Sequence, residues 1–315
     1  MEMVNVPRAA ASRDDWARTP ERSNTLALRV MTWIAVRCGR RVTRWVLHPI
    51  TLYFMLFAPT ARSQSLRYLR RALGREPRFI DGYRHVHAFT ATILDRVYLL
   101  RGRLDLFDIE VCGADVIEET LAESSGAFLV GAHMGSFEVV RAIGEVRPGV
   151  RVAMVMYPDN ARMVNDALRA IAPDNVPKVI ALGRSDSMLA VRDWLDAGGL
   201  AGFLADRSLL GEAQRSSNVR VQFLGHEAVF NDGPFRLAAL LRRRVFFMVG
   251  VYLGGARYQV RFESLANLTQ RMDSAEREQH IEQAVRTYAA RLEALCREIP
   301  YNWFNFHDFW HEDAR

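Results

Sequence analysis

Lysine is nearly absent from this 315-residue chain: Lys178 is the only copy, and arginine supplies the rest of the positive charge behind a net +6. The planar guanidinium fork suits phosphate and carboxylate partners. Anionic lipid and phosphopantetheine-type substrates therefore fit the composition. Nucleic acid does not, because the arginines are dispersed and no nucleic-acid-binding motif occurs. Cysteine is scarce as well. Cys38, Cys112 and Cys296 lie far apart, form neither a metal spacing nor an even disulfide set, and fit a reducing cytosolic setting. A G-x-S-x-G elbow is missing, since Gly135-Ser136 lacks the second glycine, which disfavours a serine hydrolase. No apolar run reaches the roughly 18–20 residues of a membrane span. Residues 1–25 are polar, contain Pro7 and Pro20, and have no apolar signal-peptide core, so they read as a disordered leader.

What is present is an alternation of strand and helix patterns. Ala127 to Ala132 is an apolar run that reads as a buried strand, and Arg151 to Met156, Val179 to Leu182 and Leu200 to Ala205 read as strands after it. Helices are expected over Tyr83 to Leu100, Ala161 to Ile171, Asp186 to Ala197 and Asp232 to Arg244. Val219 to Phe223 reads as an edge or hairpin strand, followed by a turn through Leu224-Gly225-His226-Glu227. Val245 to Tyr252 and Arg257 to Glu263 form a strand pair across Gly254-Gly255. Asp273 and Glu276 have capping-box spacing for a helix through Arg297. Such alternation implies an α/β fold, with one central mixed, mostly parallel β-sheet flanked by helices and residues 61–315 as a single domain.

Residues 26–60 differ from that body. Two short apolar runs, Leu26 to Val36 and Trp45 to Ala58, flank Arg37, Arg40, Arg41 and Arg44, with Trp33, Trp45 and Tyr53 among them. Basic side chains beside interfacial aromatics read as a helical membrane-associating segment. The same pattern also fits a core helical hairpin with solvated arginines.

The chemistry points to Gly131-Ala132-His133-Met134-Gly135-Ser136-Phe137-Glu138. His133 follows a buried strand, and Glu138 lies in the first turn of the next helix. Ligands of α/β proteins collect outside strand ends. An imidazole there can take a proton from a hydroxyl, with Glu138 fixing its tautomer. A structural histidine satisfied by a nearby carboxylate has the same spacing. Gly131 and Gly135 leave room for close approach of a ligand, and the backbone N–H groups of Met134 to Ser136 are candidate donors to an oxyanion. No H-x-x-x-H or C-x-x-C pattern surrounds His133, so no metal site is expected. Asp206-Arg207 follows another buried strand. If the two strands are neighbours, Asp206 faces His133; otherwise it is a turn aspartate paired with Arg207. Arg162, just past a strand, is either a phosphate contact or a solvated residue of a helix start.

In order along the chain stand the basic-apolar front end, the H-x4-E box at His133 to Glu138, and Asp206-Arg207. Val221-Gln222-Phe223-Leu224-Gly225 and Asn231-Asp232-Gly233-Pro234-Phe235-Arg236-Leu237-Ala238 follow, and an aromatic box, Pro300-Tyr301-Asn302-Trp303-Phe304-Asn305-Phe306, comes last. This set resembles the lysophospholipid acyltransferase superfamily, and within it the bacterial lipid A late acyltransferases, over about residues 26–310. The resemblance implies a glycerolipid acyltransferase-like fold at the cytoplasmic face of the bacterial inner membrane. It also implies transfer of an acyl chain from acyl carrier protein or coenzyme A to a lipid or glycolipid hydroxyl. His133 would be the base with Glu138 and Asp206 assisting, and no cofactor would be needed; from their positions at strand ends and the turn, Gly135, Ser136, Arg162 and Arg207 are the expected substrate contacts. Lipid A enzymes usually carry Gln-Trp followed by basic residues; here Asn302-Trp303 leads into Phe304-Asn305-Phe306-His307-Asp308-Phe309-Trp310. That tail looks like the acyltransferases associated with aryl polyene pigment pathways. A non-catalytic lipid-binding or scaffold protein on the same fold is the competing reading.

Overall fold

The computed structural model describes residues 25–122, 126–146, 150–156, 178–183, 186–207 and 218–310. The leader up to residue 24, the helix expected over Ala161 to Ile171 and Arg162 lie outside the described residues. Seven strands form one sheet: β1 (Asp108–Cys112), β2 (Ala127–Gly131), β3 (Val152–Met156), β4 (Val179–Ala181), β5 (Leu200–Leu204), β8 (Arg244–Tyr252) and β9 (Arg257–Asn267), in the spatial order β1-β9-β8-β2-β5-β3-β4. Every neighbouring pair is parallel except β8 with β9, the strand pair foreseen across Gly254-Gly255. The sheet is thus mixed and mostly parallel, as expected. Strand β2 lies inside the sheet between β8 and β5 and is buried along its whole length, which is why its sequence is continuously apolar rather than alternating.

A separate hairpin pairs β6 (Asn218–Phe223) with β7 (His226–Asn231). Only the first of these strands was legible in the sequence. The chain reverses at Leu224 (φ 52°) and Gly225 (φ 81°), the two left-handed residues of a tight hairpin turn. His226 therefore opens a strand and is not part of the turn.

The helices are α1 (Thr25–Phe57), α2 (Pro59–Leu73), α3 (Phe79–Leu99), α4 (Ala114–Ala122), α5 (Phe137–Val146), α6 (Ser187–Asp196), α7 (Gly233–Leu241) and α8 (Ser274–Glu298). The capping box of α8 is in place: Asp273 accepts from the Glu276 N–H at 2.9 Å, and Glu276 accepts from the Asp273 N–H at 3.2 Å. Such a cap stabilises a helix by about 1 kcal/mol. Its inner face (Ile281, Val285, Tyr288, Leu292 and Leu295) is buried, and the Tyr288 hydroxyl donates to the carbonyl of Gly131 at 2.8 Å. That bond anchors the end of β2 from behind.

Helix α1 bends at Gly39, whose φ of 74° and ψ of 162° are not helical. It packs along α3, and Tyr98 of α3 donates its hydroxyl to the carbonyl of Ala35 at 2.7 Å. The arginine cluster divides between two surroundings. Arg40 turns inward to a bidentate pair with the buried Asp95, at 2.7 and 2.8 Å, and Arg44 donates to the Tyr252 hydroxyl at 2.6 Å. Arg37 and Arg41 stay exposed. No helix among the described residues is long and apolar enough to cross a membrane.

Candidate active site

Register builds the site. Strands β2 and β5 are parallel neighbours with Gly131 opposite Leu204, so residues two positions further on, His133 and Asp206, leave the sheet at the same level. His133 Nδ1 lies 2.8 Å from Asp206 Oδ1. The His133 backbone N–H donates to Asp206 Oδ2 at 3.0 Å, and Trp303 Nε1 donates to the same oxygen at 2.8 Å. Asp206 is buried, whereas the imidazole is about a third exposed. A carboxylate only accepts, so Nδ1 carries the proton and Nε2 keeps its lone pair. Burial would raise the Asp206 pKa, but electrostatic attraction to the His133 ring, its hydrogen bond, the Arg207 guanidinium and the Trp303 N–H outweigh it. The carboxyl is held well below its ordinary range and is ionised at neutral pH.

The tautomer-fixing contact expected from Glu138 therefore comes from Asp206. Glu138 is buried in the first turn of α5 and pairs with Arg96 of α3, Oε1 to Nε at 3.0 Å; its Oε2 has no hydrogen-bond partner among the described residues. The helix turns this carboxylate towards α3, while strand register delivers the other one to the ring.

The glycines also have a different purpose from the one expected. A Cβ on Gly135, whose φ is +61°, would lie 2.0 Å from the carbonyl oxygen of Gly250, and one on Gly131 would lie 2.8 Å from that of Met248. The close neighbour is strand β8, not a ligand. The backbone donors of the turn are taken too: Met134 N–H bonds Ala132 O at 2.6 Å, Gly135 N–H bonds Asn302 O at 2.9 Å, and Ser136 N–H bonds Gly250 O at 2.7 Å. They are unavailable to an oxyanion, which corrects that expectation for Gly135 and Ser136. Ser136 Oγ and Arg207 Nε, like Glu138 Oε2, are buried polar atoms without a hydrogen-bond partner among the described residues.

Sequence reasoning missed Trp303 as part of the site. The C-terminal aromatic box runs through its centre. Phe304 N–H donates to His133 O at 2.8 Å, and Met134 and Trp303 form an isolated antiparallel bridge. His85 of α3, fully buried, lies 2.8 Å from the Trp303 carbonyl through Nε2 and 2.7 Å from Ser65 Oγ through Nδ1. The carbonyl can only accept, so Nε2 carries the proton of a neutral ring. The order of landmarks along the chain was the only sequence signal for Trp303, and it gave no indication of a bond to a residue 97 positions away.

Among the described residues no group of three or more His, Cys, Asp or Glu side chains is arranged to hold a metal ion. The chain is an acyltransferase of α/β build, its residues 98–312 matching one family model over more than half its length. That model describes the bacterial lipid A biosynthesis acyltransferases, and the chain belongs to this family. The comparison with curated proteins finds no significant match.

Proposed function

We propose that the chain moves an acyl group from a thioester of acyl carrier protein or coenzyme A to a hydroxyl of a lipid or glycolipid, with His133 Nε2 as the base. The observation that carries this reading is the His133–Asp206 pair at the carboxyl end of β2, with Nε2 turned away from its carboxylate. Nε2 takes the hydroxyl proton as the oxygen attacks the thioester carbonyl. The tetrahedral oxyanion collapses, the C–S bond breaks, and the proton passes from the imidazolium to the departing thiolate. Asp206 stabilises the imidazolium in between. Ser136 Oγ and Arg207 Nε are the candidate donors to the oxyanion. Glu138 pairs with Arg96 and lies in the favourable field of the α5 N-terminus, which steadies the first turn of that helix. The Asn-Trp tail without the following basic residues supports an aryl polyene-type acceptor over lipid A. The test is mass spectrometry of lipid and pigment extracts from cells with and without the protein. An acylated species that appears only with it identifies the acceptor, and identical extracts would overturn the reading.

An apolar face on the N-terminal helices supports action at the cytoplasmic surface of the inner membrane. Trp45 (77% exposed), Tyr53 (59%) and Phe57 (70%) stand out from α1 with Leu52, Phe54 and Leu56, and Phe79 and Ile80 project from the start of α3. Arg37 and Arg41 supply positive charge on the same helix, as an interfacial helix on anionic lipid requires. Replacing Tyr53, Phe54 and Phe57 together by Ser removes three large apolar anchors, each contributing about 1.5–3 kcal/mol when fully buried. Binding to phosphatidylglycerol-containing vesicles should weaken at least tenfold while the melting temperature holds. Unchanged co-sedimentation would place the membrane contact elsewhere.

A further inference from the structure

We infer that Trp303 is a positioning residue of the catalytic pair, its indole N–H locking Asp206 in the orientation that holds His133 as a base. The inference rests on the acyl-transfer reading above and adds to it a third residue, contributed by the C-terminal aromatic box.

The geometry divides Asp206 into two halves. Oδ1 faces the His133 ring, while Oδ2 receives the Trp303 indole N–H at 2.8 Å and the His133 backbone N–H at 3.0 Å. Two donors on Oδ2 fix the plane of the carboxylate, so Oδ1 has one direction left, towards Nδ1. Asp206 and Trp303 are both buried. A hydrogen bond to a carboxylate in such surroundings is charge-assisted and stronger than a neutral one.

The indole is held as firmly as what it holds. Tyr68 and Phe309 pack edge-on against it with ring centroids 5.0 Å away, and Phe223 does so at 5.4 Å. The Trp303 carbonyl is bonded by His85, and both flanking residues are tied to the turn that carries His133, Asn302 through Gly135 N–H and Phe304 through His133 O. One ring therefore spans the N-terminal helices, the β6–β7 hairpin and Asp206. If packing were its whole contribution, a tryptophan without its N–H would serve equally well.

β-(3-Benzothienyl)alanine tests this at position 303. Introduced through a suppressed amber codon, it keeps the bicyclic shape and puts sulfur where the N–H was. Turnover of the purified full chain, measured well below the melting midpoint of each protein and counted per folded molecule, should fall roughly tenfold to a hundredfold with KM changed less than about threefold. In an Asp206→Asn background the same replacement should cost less than about threefold, because its effect runs through that carboxylate. Native kcat in the isostere would overturn the inference, as would an equal loss in both backgrounds; either would leave Trp303 as packing alone. His133→Ala, run alongside, keeps the two questions apart. If that variant turns over normally His133 is not the base and the reading of this site fails, whereas if it is dead while the isostere is normal only the role of Trp303 is lost.

Discussion

His133→Ala should lose turnover on the order of 10²–10⁴-fold, the contribution of a positioned general base, with little change in fold. The side chain is about a third exposed, so its removal opens no deep cavity, and the backbone bonds around it are made by main-chain groups that the substitution keeps. What is lost is the lone pair at Nε2, together with the Nδ1 hydrogen bond to Asp206. A steady-state assay with acyl carrier protein or coenzyme A thioesters, on protein checked by circular dichroism, gives the answer. Wild-type turnover in the folded variant would remove His133 as the base, whereas a lipid-binding scaffold on an acyltransferase fold would show no turnover in either protein.

Asp206→Asn should be nearly as damaging, for a reason the hydrogen bonds dictate. Trp303 Nε1 and the His133 backbone N–H both donate to the Oδ2 position. In asparagine that position must be filled by the amide oxygen, so the NH2 group falls where Oδ1 was, facing His133 Nδ1. Nδ1 must then accept and the ring proton moves to Nε2, which leaves no lone pair for the substrate. In serine proteases the corresponding exchange costs about 10⁴-fold, and a loss of at least about 10²-fold is expected here. Glu138→Gln is the control. Glu138 pairs with Arg96, a side chain more than a third exposed, and its conversion should cost less than about tenfold. Comparing kcat for the two variants decides which carboxylate orients the base; a larger loss in Glu138→Gln would return that role to Glu138.

The contrast between these two carboxylates also marks how far the sequence could be read. The position of His133 at the end of a buried strand was legible because the apolar run stops there, and strand β2 is that run. Helix α8 was legible because a capping box is a local signal within four residues. Asp206 was legible only conditionally, since its meaning depends on β2 and β5 being neighbours, and strand order is not written locally. Glu138 misled because five positions in sequence look close, while a helix start turns the side chain away towards Arg96. The glycines misled because a missing Cβ records close approach without saying by what; here the approaching group is the backbone of β8. The second hairpin strand was missed because the turn was read through His226 and Glu227, whereas the left-handed pair Leu224–Gly225 closes it and β7 starts at His226.

Acid should loosen this protein from within. Burial pushes the His85 pKa down to about 4, and its hydrogen bond to the Trp303 carbonyl opposes that only in part. In an unfolded chain a histidine titrates near 6.5. Between those two values the unfolded chain takes up a proton that the folded one refuses, so stability falls with falling pH. The contribution is complete above about pH 6.5, and about 3 kcal/mol of it has gone by pH 4. Asp206 and Asp81, both held below their ordinary range, add their losses only under about pH 4, where unfolded carboxyls begin to protonate. Mild acidity thus acts on this enzyme through a histidine packed behind the His133–Asp206 pair, well before the acidic groups themselves respond.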